Sequence, residues 1–166
     1  MLHHLLPAIL PVAFFAITAL LVLGLSKLNK NIPFRWANVF KLNLTLLFLL
    51  VGILGHIIYP DNLLSLIPEF FPYRLESIYA SGILEVIFAI LLWTPLQRIT
   101  GNIIIAYLIL VIPFNIYGWT IAENTPNYID DPYYLWIRVP MQVLFIAFAY
   151  FGTRSSKSPD PAEQTA

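Results

Sequence analysis

The chain has 166 residues, of which 59% are hydrophobic and only 11% charged, and its mean hydropathy is +0.77. Soluble domains carry about 25% charged residues; a single soluble core does not absorb this much apolar surface, whereas a bilayer does. A formal net charge of zero without a basic patch excludes nucleic-acid backbone binding. The absence of cysteine excludes disulfides, thiolate nucleophiles and intrinsic CxxC redox chemistry.

Five apolar stretches follow in chain order: Leu5 to Leu25, Phe40 to Ile58, Ser77 to Leu96, Gly101 to Trp119, and Pro132 to Phe151. Each approaches the ~20 residues that a helix needs to cross ~30 Å of hydrocarbon. The short alternating strands of a membrane barrel are missing, so helices are the spanning option. The first stretch reads as an uncleaved helix rather than a signal peptide. It lacks a basic leader and a small-residue cleavage site, and Lys27, Lys30, Arg35 and Lys41 follow it instead. Pro7 is tolerated in its opening turn, and Pro11 is placed to kink it.

The segment from Pro60 to Glu76 carries Pro60, Pro68 and Pro72 around an apolar run, and reads as a short amphipathic helix or re-entrant turn at the interface. Asp131 and Pro132 supply an N-cap and a first-position proline for the fifth helix. Beyond Thr153 the chain is polar and reads as a disordered tail. The expected organisation is an all-α polytopic membrane protein: a first helix and basic loop over 1–39, a four-helix transmembrane bundle over 40–152, and a tail over 153–166. Lysine and arginine set the orientation. With the N-terminus outside, Lys27, Lys30, Arg35, Lys41, Arg98, Arg154 and Lys157 fall inside. Asp61, Glu69, Glu76, Glu123, Asp130 and Asp131 fall outside with Arg74, and the C-terminus is cytoplasmic.

Ionisable residues within spanning helices cost roughly 3 kcal/mol each near the helix centre, so each needs a reason. The candidates are His56, Glu85, Asn115, Arg138 and Gln142. Counting from the helix ends, Glu85 and Arg138 fall roughly 9–14 Å below the outer surface. His56 and Asn115 lie within about a turn of the same face, so the five converge on the outer half of the bilayer. The inner half offers little beyond Tyr107 and Tyr150, which argues against a conducting path. Ser81, Gly82, Glu85 and Ala89 form a small-residue stripe suited to close helix approach. Pro113 and Pro140 free the carbonyls of Ile109 and Trp136 for other donors. The sharpest expectation is a direct Glu85–Arg138 pair, with Asn115 and Gln142 satisfying the remaining donors and acceptors. Tyr59, Tyr73, Tyr79, Trp93, Tyr117, Trp119, Tyr133, Tyr134 and Trp136 suit interfacial belts. Asn43-Leu44-Thr45 has a glycosylation pattern but lies on the inner side. His3 and His4 are terminal and His56 is alone, so no convincing metal-ligand set is present.

Four pieces in order resemble the DoxX family of small bacterial membrane proteins: FLLVGILGHIIYP from Phe48, YASGILEVIFAILL from Tyr79, PFNIY from Pro113, and RVPMQ from Arg138. Glu85, Asn115, Arg138 and Gln142 stand at the matching positions of SGxxE, PxNIY and RxPxQ signatures. The first helix, Ala89 and Phe114 depart from that pattern. The resemblance implies a four-helix bundle in a bacterial inner membrane and a link to membrane oxidoreductase subunits.

The first functional expectation is a non-enzymatic accessory subunit. Its polar cluster of His56, Glu85, Asn115, Arg138 and Gln142 binds a lipophilic head group, a quinone being the class considered, or docks an oxidoreductase partner. The alternative is a small membrane enzyme using Glu85 as acid/base on a lipid-like substrate. A small transporter ranks third.

Overall fold

The structure, a computed structural model, describes residues 2–28, 35–64, 66–121 and 132–154. Among these residues there are helices and no strands. Helix α1 spans Leu2–Leu28, α2 spans Trp36–Leu50 and passes into a π-helical segment, Val51–Ile58, and α3 is the single turn Asp61–Leu64. Helices α4, α5 and α6 span Arg74–Leu91, Gln97–Ile121 and Pro132–Arg154. The five apolar stretches all fall on these helices. Helix α4 is displaced relative to its expected span, beginning three residues before Ser77 and ending five before Leu96. The Asp131 cap and the polar tail after Arg154 lie outside the described residues.

Four helices share one apolar core. Leu44 and Phe48 of α2, Phe88 and Ala89 of α4 with Leu92 just beyond it, Ile104 and Leu108 of α5, and Phe148 and Ala149 of α6 pack together. The buried face of α4 reads Ile78, Gly82, Glu85, Phe88 and Ala89, steps of three and four that place one stripe inward. Its outward face is also apolar: Ile83, Ile87 and Ile90 are exposed, as are Ile99, Ile103, Ile109 and Leu110 on α5. Several polar residues, Glu85 and Gln142 among them, are thus buried beside the apolar core while many isoleucines and leucines are exposed. Helices Trp36–Ile58 and Gln97–Gly118 are long and apolar enough to cross a membrane.

Helix α1 packs against α2 and α6 through its middle. Phe15 stacks on Trp36, Phe40 and Phe148, and Asn43 donates to Thr18 Oγ1 at 3.3 Å. Contacts therefore advance along both helices in the same direction, since Phe15 meets Trp36 and Phe40 while Thr18 meets Asn43. A tight antiparallel hairpin would have the reverse order.

The connection between α2 and α4 packs onto one end of the core. Leu66 and Pro68 are buried, Leu66 sits on Gly118 of α5, and Phe71 meets Phe114 edge-on at 5.6 Å. Arg74 donates to the Leu64 carbonyl. In place of an amphipathic helix, one helical turn and a series of turns cover this end.

Candidate functional site

The site begins with a close crossing between the π-helical segment and α4. A Cβ built on Gly82 would lie 2.5 Å from the Cβ of His56 and 2.8 Å from the Gly52 carbonyl oxygen. One built on Gly52 would lie 3.0 Å from the Gly82 oxygen and 3.1 Å from the Glu85 Cβ. These two glycines let the backbones meet, and the meeting brings His56 to Glu85. The π-helical widening, a feature often found at functional sites, covers the whole stretch from Val51 to Ile58 that carries His56.

Glu85 is buried, only 6% exposed. Its Oε1 accepts from the Tyr107 hydroxyl at 3.0 Å, and its Oε2 lies 3.5 Å from His56 Nδ1. His56 Nδ1 stands 3.0 Å from the Val51 carbonyl oxygen. A carbonyl oxygen only accepts, so Nδ1 carries the proton of that bond and Nε2 is left as the nitrogen available to another group. Glu85 Oε2 consequently has no hydrogen-bond partner. A buried, unmatched carboxylate oxygen is unusual, because nearly all such atoms find a partner.

A second group adjoins the first. Arg138 Nη1 donates to Asn115 Oδ1 at 3.3 Å, Asn115 Nδ2 donates to Gln142 Oε1 at 2.9 Å, and Gln142 Nε2 donates to the Leu108 carbonyl at 3.0 Å. That last bond satisfies an acceptor one residue from Ile109, whose carbonyl the ring of Pro113 leaves without its helical donor. The Gln142 bond therefore goes to Leu108 and not to Ile109, the carbonyl that the sequence marked as freed. Tyr107 and Leu108, consecutive on α5, belong one to each group.

The five expected residues fall in two groups: His56 and Glu85 with Tyr107, and Arg138 with Asn115 and Gln142. The direct Glu85–Arg138 pair is corrected: the carboxylate meets Tyr107 and His56, whereas the guanidinium meets Asn115. The sequence treated the two charges as partners because their estimated depths agreed. With α4 beginning at Arg74, Glu85 lies eleven residues along it, about 16 Å at 1.5 Å per residue. Arg138 lies six residues along α6, about 9 Å. Tyr107, noted only as an exception in an apolar half, is the residue that reasoning from sequence missed. Its signal was its polarity in the otherwise aliphatic run from Ile103 to Ile112.

The half of the bundle that the sequence reading left nearly blank is not apolar throughout. Lys41, Asn43, Thr18, Thr100 and Thr153 are buried there. Among the described residues no group of three or more His, Cys, Asp or Glu side chains could hold a metal ion.

No curated protein and no solved structure matches the chain. The match that does exist covers residues 44–153, more than half of the chain, and overturns the resemblance to DoxX. The short signatures behind that resemblance are small residues, prolines and amides at helix crossings, which many membrane bundles need for the same packing reasons. The chain belongs to the family described as Domain of unknown function (DUF8561).

Proposed function

We propose that the chain is a multi-pass membrane protein in which α2, α4, α5 and α6 each cross the bilayer and whose polar cluster binds the head group of an amphiphile. The membrane reading is supported by the reversed polarity of the bundle: isoleucine and leucine face outward while Glu85, Gln142, Lys41 and Asn43 are buried. An exterior of this kind is a liability in water and a match for lipid. Arg35, Lys41, Arg98 and Arg154 gather at one end, and Asp61, Glu69 and Glu76 occur near the other, which supports a basic end and a C-terminus facing the cytoplasm. The sequence expectation also held α1 to be a fifth crossing with the N-terminus outside. The parallel order of its contacts with α2 lends that no support, and the proposal rests on the other four helices.

The observation that carries the binding reading is Glu85 Oε2, buried without a hydrogen-bond partner and next to His56. A ligand group placed there would complete the set, with a second polar atom directed toward the Arg138–Asn115–Gln142 group. A ring bearing oxygens at both ends, as in a quinone, fits that demand, with its chain running out among the apolar helices. The His56–Glu85 contact also favours a second reading, a small enzyme in which this pair performs acid/base chemistry. Val51 anchors one ring nitrogen and leaves the other for a substrate.

The test is to purify the protein in mild detergent and identify the retained amphiphiles by mass spectrometry. One species in near-stoichiometric amount is expected, falling roughly tenfold in Glu85→Gln, a loss equivalent to about 1.4 kcal/mol. A phospholipid background identical in the two proteins would overturn the binding reading.

A further inference from the structure

We infer that the basic end of the bundle holds a site for the phosphate of an anionic phospholipid, centred on Lys41. The inference rests on the membrane reading above but concerns a different place from the Glu85 cluster. Lys41 lies on α2 and is 8% exposed. Its Nζ donates to Gln97 Oε1 at 2.9 Å and stands 4.8 Å over the Trp93 ring. Trp93 is in turn fixed by donating its Nε1–H to Thr45 Oγ1 at 2.8 Å. On the other side Gly152 brings the α6 backbone close, so that a Cβ there would lie 3.3 Å from both the Lys41 Cγ and the Lys41 amide nitrogen. The ammonium is thus held by neutral groups: one amide oxygen and one ring face.

An ammonium has three donors, and Gln97 accepts from one of them. The usual counterpart of a buried lysine is a carboxylate, and among the described residues none is near. Asp61, Glu69 and Glu76 belong to the segment at the far end of the bundle, and Glu85 is engaged with Tyr107 and His56. The neighbours at this end are instead cationic. Arg35 precedes α2, Arg98 opens α5, and Arg154 closes α6, where it lies 3.7 Å from the Tyr150 ring centre and donates to Asn102 at 3.2 Å. Among the described residues, positive charges gather at this end without a carboxylate, and an anion from outside would complete the set. At the cytoplasmic surface of a membrane the abundant anion is a lipid phosphate, and each basic side chain near an anionic surface contributes favourably. Trp93 and Trp36, 49% and 56% exposed, stand at the level where aromatic rings meet head groups. The shared chemistry is a phosphate anion, and free phosphate is the alternative source.

The test is thermal unfolding of the full chain in detergent mixed with phosphatidylglycerol, with phosphatidylcholine, or with phosphatidylcholine plus inorganic phosphate. Phosphatidylglycerol is expected to raise Tm by roughly 5 °C over phosphatidylcholine, as a ligand well above its Kd does. Lys41→Met is expected to remove most of that rise, whereas Arg74→Gln at the opposite end keeps it. If Lys41→Met does not fold, Lys41→Gln makes the same comparison. Equal stabilisation by the two lipids, or a rise undiminished in the Lys41 variant, would overturn the site. An equal rise from inorganic phosphate would overturn the lipid as its source. The Glu85 cluster stands or falls separately, by amphiphile retention in Glu85→Gln.

Discussion

Gly82→Ala is expected to destabilise the protein by about 2–3 kcal/mol, the range for forcing extra atoms into a packed interior. The added methyl would fall 2.5 Å from the Cβ of His56 and 2.8 Å from the Gly52 carbonyl oxygen. The second of these is backbone, so relief requires α4 and the π-helical segment to move apart. In an open helical position the same change gains about 1 kcal/mol from helix propensity. Gly24 is such a position, with nothing within 4 Å of its added Cβ, and Gly24→Ala is expected to be neutral or mildly stabilising. Thermal unfolding in detergent compares the two variants directly. Because separation of the helices would also draw His56 from Glu85, Gly82→Ala should lose bound amphiphile even below its unfolding temperature.

Glu85 and Tyr107 are expected to be coupled by about 1–2 kcal/mol in a double-mutant cycle of Glu85→Leu with Tyr107→Phe, the worth of a buried side-chain hydrogen bond. Glu85→Gln and Arg138→Gln, in contrast, should be additive to within about 0.5 kcal/mol, as for residues without a shared hydrogen-bond partner. The reason is geometric: Tyr107 donates to Glu85, and Arg138 donates to Asn115. A large rescue in the Glu85/Arg138 double variant would mean that the two charges meet after all. Such a result would reorganise the site around a single ion pair.

The helices were legible because each is a long apolar run bounded by polar or proline-bearing breaks, and those signals are read residue by residue. The stripe of Ser81, Gly82, Glu85 and Ala89 was legible for a similar reason, since small residues at helical spacing record a close approach. What it approaches was not legible. The pairing of Gly82 with Gly52, rather than with a glycine elsewhere, depends on the widened turn from Val51 to Ile58, which has no composition signature of its own. The exchange of Arg138 for His56 and Tyr107 as partners of Glu85 has the same origin. Depth counted along isolated helices ignores how far each begins outside the core. Helix α4 starts at Arg74, and that moved Glu85 inward by three residues, just under one turn. Lys41 was read only as an orientation signal because its burial arises from α4, α5 and α6 closing around it, a tertiary fact.

The absence of cysteine makes the central claim, a chain threaded through a bilayer with its basic end in the cytoplasm, directly measurable by single-cysteine labelling. Asp61→Cys, Arg98→Cys and Ile87→Cys would be probed with a membrane-impermeant maleimide before and after permeabilising the cells. All three native residues are exposed on the folded protein, so burial in the protein does not distinguish them. Asp61→Cys is expected to react in intact cells and Arg98→Cys only after permeabilisation, while Ile87→Cys stays shielded by lipid in both conditions. Labelling of Arg98→Cys from outside would contradict the orientation, and labelling of Ile87→Cys as readily as Asp61→Cys would contradict the membrane crossing itself.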